Sequence, residues 1–137
     1  MYSNDRTTYR QTIIEAWKKF QKHLPLSLIE QEIVNVINLH PELQAFFANE
    51  SQYVNLEFSP TENPFLHISL HMTIQEQLRT DKPTGIKKIY EELMIKVCDQ
   101  HLVLHLLMDG LQQTLWEAQQ KNQMPNEQDY LERLRGK

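Results

Sequence analysis

The chain has 137 residues, of which 40% are hydrophobic and 23% charged, as in one globular domain; a second domain would lack a hydrophobic core. Its net charge of -4 has the wrong sign for affinity that comes from phosphate contacts, so we expect no nucleic-acid partner. Only three glycines and six prolines are available for the tight turns of an all-β protein, which favours an all-α fold.

Two helices are predicted in the first 40 residues. Apolar residues at helical spacing predict a first helix over residues 8–23. Ser27 and Glu30 have the spacing of a capping box, in which each side chain accepts a hydrogen bond from the backbone N–H of the other residue. A second helix therefore begins there, and it ends near His40 because Pro41 disfavours helical geometry in the residue before it.

The middle of the chain combines a short helix, a loop and a longer helix. Residues 41–49 can form the short helix, and the aperiodic residues 49–62 are predicted to be an ordered loop. Asn63 followed by Pro64 is a strong start signal, because asparagine caps helices well and proline gives up an N–H that has no partner there. The helix that begins there is predicted to end near Thr80.

One apolar stripe continues through residues 85–121. A single helix of that length would be roughly 55 Å long, whereas a compact domain of this size has a radius of gyration of about 14 Å. We therefore predict a break near Cys98, with Asp99 as the new N-cap, and a short terminal helix after Pro125. The sequence thus predicts a single-domain helical bundle of about five to seven helices over residues 1–137.

Four of the six histidines form two pairs with the spacing His-x-x-x-His: His67 with His71, and His101 with His105. Residues four apart lie on one face of a helix, and each pair falls within the apolar stripe of its helix. All four imidazole rings are therefore expected to point into the protein. Each ring nitrogen buried without a partner would cost roughly 1–3 kcal/mol.

The predicted connectivity brings the two pairs together. If successive helices alternate in direction, the two histidine-bearing helices run parallel, and both pairs lie in the first two turns of their helices. Neutral imidazole is a common ligand for zinc, nickel and iron. The sequence therefore predicts a site for a divalent transition metal (zinc, iron or nickel), formed by His67, His71, His101 and His105.

Two further residues are candidate ligands. Asp109 follows His105 by four residues, and its carboxylate can bind the metal or accept a hydrogen bond from an imidazole N–H. His40, at the end of the second helix, can reach the same end of the bundle; the alternative is a terminal histidine that bonds a free carbonyl. A metal with an open position would support hydrolysis, and a metal with four protein ligands would be structural.

A non-enzymatic role is the main alternative. The histidines would then be structural, and the protein would be an interaction or homodimerisation module. Its partner face would be aromatic, formed by Phe46, Phe47, Tyr53 and Phe58. A third interpretation is a small-ligand pocket near Trp116 without a metal, although Trp116 is predicted to pack in the core.

The single cysteine, Cys98, cannot form an internal disulfide and lacks zinc-ribbon partners, so any metal must be held by nitrogen and oxygen. We expect it to be a small buried apolar residue. The sequence contains no signal-peptide pattern and no apolar run of about 18 residues, which predicts no membrane span. A cytoplasmic location is the resulting expectation.

Five segments stand out along the chain: NPFLHISLH at 63–71, EQL at 76–78, DKPTGI at 81–86, DQH at 99–101 and LWEAQ at 115–119. With these segments and His105, the chain closely resembles a family of short bacterial proteins of unknown function over nearly its whole length. The resemblance supports a single fold unit and brings no established activity, substrate or cofactor.

Helix-borne histidines also give the chain a looser resemblance to hemerythrin-like and DinB-like bundles, which hold metals in this way. Hemerythrin-like proteins place a glutamate four residues after a histidine. Here Gln75 follows His71 at that distance, which argues against a di-iron oxygen-binding site.

Overall fold

The computed structural model describes residues 6–47 and 63–137. Within these residues it contains seven α-helices and no strand, which confirms the predicted all-α fold. The helices are α1 (Arg6–Gln21), α2 (Leu28–Asn38), α3 (Pro41–Phe46), α4 (Pro64–Thr80), α5 (Ile86–Val97), α6 (Gln100–Gln120) and α7 (Glu127–Arg135). None of these seven helices combines the length and the apolarity that crossing a membrane requires.

The chain forms two compact units, residues 1–72 and residues 73–137. The first contains α1, α2, α3 and the first half of α4, and the second contains the rest of α4 with α5, α6 and α7. Each unit has its own buried apolar residues. The single domain expected over residues 1–137 stays a prediction.

The core of the first unit forms where α1 packs against α2, with α3 and the start of α4 completing it. Burying apolar side chains of this kind contributes about 25 cal/mol for each Å² removed from water, and it is the main force that holds the helices together. The buried members are Ile13, Ile14, Ala16, Trp17, Ile33, Val34, Val36, Ile37, Leu43, Phe47, Phe65 and Ile68.

One residue of the predicted aromatic partner face is buried in the structure, and the face itself stays a prediction. Phe47 is only 1% exposed, and Phe46 packs against the core. Both rings make edge-to-face contacts with Phe65, at centroid distances of 5.6 and 5.8 Å. These two aromatic side chains therefore help to hold α3 against α4, and Phe47 is too deeply buried to contact a partner, whereas Phe46 is partly exposed. Tyr53 and Phe58, together with the predicted loop over 49–62, lie outside the described residues.

Helix α2 begins where the capping-box pattern predicts. The Ser27 hydroxyl accepts a hydrogen bond from the Glu30 backbone N–H, and the Glu30 carboxylate accepts one from the Ser27 backbone N–H. The bond from the Ser27 N–H, together with an ion pair to Lys19, lowers the pKa of Glu30. Because these contacts favour the charged carboxylate, their stabilisation is complete above the ordinary pKa range of a glutamate and is lost as the pH falls through the lowered pKa of the folded protein.

Helix α4 also begins as predicted. The Asn63 side-chain oxygen accepts hydrogen bonds from the backbone N–H groups of Phe65 and Leu66, and Pro64 is the first helical residue. Two of the backbone donors that a helix start leaves unbonded are thus satisfied by one side chain. This start places His67 in the first turn of α4 and His71 in the second.

In the second unit, the long apolar stripe is interrupted at the predicted place. Cys98 ends α5 in the left-handed region, with a φ of 61°, and the Asp99 side chain caps α6 by accepting from the Leu102 N–H. The left-handed residue turns the chain, so that two helices of ordinary length replace one long helix. Cys98 is exposed, and the expectation that it would be buried is wrong.

The prediction from the sequence pattern is also wrong about the burial of Trp116. Its side chain is 58% exposed on α6, although it was expected to pack in the core. Helical periodicity shows which residues share a face, and it does not show how much of that face another helix covers.

Helix α7 packs closely against α6 at Gly110. A Cβ atom built on Gly110 would lie 2.4 Å from the Cδ2 of Leu134, whose side chain is fully buried. Contact that close cannot be relieved without moving a filled core. The absence of a side chain at position 110 is therefore what lets α7 approach α6.

We predict that Gly110→Ala lowers the free energy of unfolding by up to about 2 kcal/mol. Overpacking a filled core costs about 1–3 kcal/mol, and the roughly 1 kcal/mol that alanine gains over glycine inside a helix offsets only part of that cost. Urea denaturation followed by far-ultraviolet circular dichroism measures the change.

Gly136→Ala is the matched control. A Cβ atom at Gly136 would meet its nearest neighbour, the Arg133 carbonyl oxygen, at an ordinary 3.5 Å, and the residue has a φ of -79°. Its effect should stay within about 0.5 kcal/mol. Equal stability of the two variants would contradict the close packing at Gly110.

Candidate metal centre

His40 occupies the turn between α2 and α3. It is the N-cap residue of α3, with φ -131° and ψ 93°, and Pro41 follows it as the first helical residue. The extended backbone conformation is the one that a residue before proline prefers. Because the turn is covered by the core of the first unit, the side chain of His40 is only 2% exposed.

His67 and His71 lie one turn apart on α4, in the same compact unit as His40. Their ring centroids are 5.1 Å apart. His71 is fully buried and His67 is partly exposed. The i, i+4 spacing therefore places both rings on one face of the helix, as the sequence predicts.

The three imidazole rings converge through their Nε2 atoms. The Nε2 of His40 lies 3.1 Å from the Nε2 of His67 and 3.3 Å from the Nε2 of His71. The ring of His40 meets the other two edge-on, with centroid distances of 4.7 and 4.9 Å. One potential ligand atom from each of the three rings lies within 4.8 Å of the others.

A hydrogen bond selects the tautomer of the neutral His40 ring. Its Nδ1 lies 2.7 Å from the carbonyl oxygen of Val36. A carbonyl oxygen can only accept, so Nδ1 must carry the hydrogen and donate it. In the neutral ring the Nε2 atom then carries a lone pair, and that lone pair is on the side facing His67 and His71.

These distances match those between nitrogen ligands of one metal ion. Zinc–nitrogen bonds of about 2.0–2.1 Å at tetrahedral angles separate two nitrogens by about 3.3–3.4 Å, close to the two distances from His40. A single lone pair on the Nε2 of His40 can accept one well-directed hydrogen bond, yet two ring nitrogens approach it. A shared metal ion accounts for both approaches at once. The three-imidazole cluster therefore can hold a metal ion.

The second nitrogen of His40 also has the partner expected of a metal ligand. A histidine that binds a metal usually donates its other ring N–H to a carboxylate or carbonyl, which orients the ring and raises its basicity. The Val36 carbonyl has this position relative to His40. The same bond is what a structural helix-terminal histidine would make, and the convergence of three Nε2 atoms distinguishes the two cases.

Polar groups on α1 meet a different face of α4. Tyr9 hydrogen-bonds Ser69, and the buried guanidinium of Arg10 lies 4.7 Å from the ring centroid of Phe65. Burial raises the pKa of Tyr9, while the bond to Ser69 acts in the opposite direction. Phe65 and Ser69 are four residues apart and share a face that is turned well away from the histidine pair. We therefore assign these contacts to packing of α1 on α4.

The other predicted ligands belong to the second unit. His101 and His105 lie one turn apart at the start of α6, with ring centroids separated by 4.2 Å, and both are partly exposed. Their pairing on one helix face is as the spacing predicts. Asp109 is exposed. The participation of these three residues in the metal site stays a prediction.

In the structure His40 is the central residue of the histidine cluster, although the sequence predicted it only as a supporting ligand. His40 is the residue that both His67 and His71 approach. No spacing motif in the sequence links His40 to the histidine pair, since His67 lies 27 positions after His40. The available signal was Pro41, which fixes the extended backbone of His40 and frees its side chain from the helix pattern.

Comparison with known proteins identifies the family. The family model described as "Domain of unknown function (DUF1841)" matches residues 5–136, and the chain belongs to this family. This confirms the family resemblance seen in the sequence. No curated protein and no solved structure matches the chain.

We predict that the neutral ring of His40 in metal-free protein carries its hydrogen on Nδ1, because the Val36 carbonyl can only accept. Two-bond ¹H–¹⁵N correlation spectra of the imidazole rings distinguish the two tautomers. His23, which is exposed, serves as the internal reference, since free imidazole side chains favour the Nε2–H form. A protonated Nε2 on His40 would remove the proposed ligand atom.

Proposed function

We propose that this member of the family binds one divalent transition-metal ion through the Nε2 atoms of His40, His67 and His71. The observation that carries the proposal is the approach of two ring nitrogens, at 3.1 and 3.3 Å, to the one Nε2 lone pair of His40. Three ligands from two segments of the first unit would tie α4 to the turn between α2 and α3.

The donor set favours zinc, nickel or iron. Neutral imidazole nitrogen suits these borderline ions, whereas calcium and magnesium prefer oxygen ligands. Among the described residues of the first unit, the cluster contributes three nitrogens and no carboxylate. A bound divalent ion would keep its full charge with three neutral ligands, and an ion of that charge lowers the pKa of any water that it binds.

The ligand at the fourth coordination position would decide whether the metal is catalytic or structural. With water there, the site would resemble catalytic zinc sites, which keep three protein ligands and support hydrolysis through the bound water. With a protein ligand there, the metal would be structural. The sequence predicts His101 and His105 as further ligands because they have the spacing of a ligand pair on α6, and we propose that one of them takes the fourth position.

The first experiment measures metal binding directly. Protein purified without a nickel column and stripped with a chelator is titrated with Zn²⁺ by isothermal titration calorimetry. Wild type should bind one ion per chain. His67→Ala should weaken binding by at least about 100-fold, the upper end of the effect of losing an outer partner of a ligand. His67 is the leading variant because it is partly exposed and its loss leaves the core filled.

His23→Ala is the control, since His23 is exposed between α1 and α2. It should bind Zn²⁺ as wild type does, and circular dichroism should show the same helix content in both variants. Equal affinity of wild type and His67→Ala, or no binding by wild type at millimolar Zn²⁺, would rule out the site.

The second experiment identifies the fourth ligand. Co²⁺ in tetrahedral sites absorbs visible light much more strongly than in six-coordinate sites, so its spectrum reports the ligand set. Of the two variants His101→Ala and His105→Ala, the one that removes the ligand should weaken Co²⁺ binding and change the spectrum, and the other should leave both nearly unchanged. Identical spectra for wild type and both variants would leave a three-histidine site with an open position and would exclude both residues.

A further inference from the structure

A surface groove lies in the second unit, and none of its lining residues takes part in the proposed metal site. It is a groove of about 360 Å³ bordered by α4, α6 and the segment that leads into α7. Its volume falls in the range of small-molecule pockets, about 300–1,000 Å³. Most of the surface of its wall is apolar, and Leu111, Leu115, Pro83 and Pro125 contribute to it.

Two polar side chains meet on the wall of this groove. The hydroxyl oxygen of Tyr130 lies 2.6 Å from the side-chain oxygen of Gln77. The amide oxygen can only accept, so the phenol donates its single hydrogen to it. Tyr130 is 4% exposed, and burial raises its pKa, which keeps the phenol protonated at neutral pH.

With this hydrogen bond made, both side chains still have hydrogen-bonding groups that a ligand can use. In residues 73–137, all of which the structure describes, it is the only hydrogen bond that the two side chains make. The amide –NH₂ of Gln77 therefore keeps its donors, and the phenol oxygen of Tyr130 keeps its accepting lone pairs. A donor and an acceptor thus stand side by side, in the arrangement that complements a carbonyl next to an N–H.

The remaining polar residues restrict the charge of a ligand. The Thr114 hydroxyl already donates to the Gly110 carbonyl and accepts from Arg133, and the Asn126 side-chain oxygen caps α7. Glu127 places an exposed carboxylate at the rim. The described lining of the groove contains no basic side chain, so an anion would meet repulsion without a compensating partner.

We propose that the groove binds a small uncharged molecule with an amide-like edge on an apolar body. The ligand carbonyl accepts from the Gln77 amide nitrogen, and the ligand N–H donates to the Tyr130 oxygen. The apolar body packs against Leu111 and Leu115. Specificity comes from the polar pair, because a ligand that lacks the carbonyl or the N–H leaves either the Gln77 amide or the Tyr130 oxygen without a hydrogen bond.

The test uses three probes of the same shape: benzamide, which has both groups, acetophenone, which has only the carbonyl, and benzoate, which is an anion. Each is titrated into ¹⁵N-labelled protein, and the Gln77 side-chain –NH₂ signals and the backbone signals of Leu111 and Leu115 are followed. Benzamide should bind with millimolar affinity and shift these signals. Acetophenone and benzoate should bind at least about fivefold and tenfold more weakly.

Gln77→Glu separates recognition from folding. The new carboxylate can still accept the hydrogen bond from Tyr130, so the fold should be kept, while the donor for the ligand is lost. Benzamide affinity should fall at least about tenfold, and affinity for benzamidine, a cation with N–H donors on both sides, should rise by a similar factor. Gln119→Glu makes the same charge change at an exposed position of α6 away from the groove and should alter neither affinity.

Several outcomes would overturn the proposal. These are equal affinities for benzamide and benzoate, shifts that map away from Leu111 and Leu115, no benzamide binding up to its solubility limit, or equal benzamidine gains in the two variants. The experiment does not depend on the metal site, because it is carried out on chelator-treated full-length protein and reads residues of the second unit only.

Discussion

The hydrogen bond from the His40 ring to the Val36 carbonyl is the interaction on which the proposed metal site depends. At the end of α2 the backbone N–H of His40 donates to Ile37, and the Val36 carbonyl accepts from the Leu39 N–H in place of the usual helical bond from residue 40. The imidazole Nδ1–H of His40 donates to the same Val36 carbonyl. A helix end, where carbonyls lack their regular partners, thus orients the ring and directs its Nε2 lone pair toward His67 and His71.

The cluster of His40, His67 and His71 and the groove at Gln77 and Tyr130 rely on opposite kinds of chemistry, and each lies within one compact unit. In the first unit, the Nε2 atoms of three imidazole rings gather around one point, which suits a small cation. In the second, a buried phenol gives its hydrogen to a neighbouring amide and leaves a neutral donor–acceptor edge. Cations and anions gain little from such an edge, whereas a neutral molecule can match it group for group. The two binding hypotheses can therefore hold or fail separately.

Local chemistry explains why much of the fold could be predicted. Helix starts at Ser27, Asn63 and Asp99 depend on side chains that bond backbone groups two or three residues away, and all three occur as expected. The pairing of His67 with His71 follows from helical periodicity in the same way. Errors arose where burial had to be judged: Phe47 is buried in the core, and Trp116 stays exposed.

The amino-acid sequence by itself determined the all-α fold, the helix starts at Ser27, Asn63 and Asp99 and the two histidine pairs, because each depends on contacts within about one helical turn. Only the tertiary structure decided that His40 joins His67 and His71, since 27 residues separate His40 from the pair and no periodicity connects them. It also decided that Gln77 and Tyr130, 53 residues apart, share one hydrogen bond. Such contacts arise from how helices pack, and packing is set by the whole apolar core rather than by any short segment.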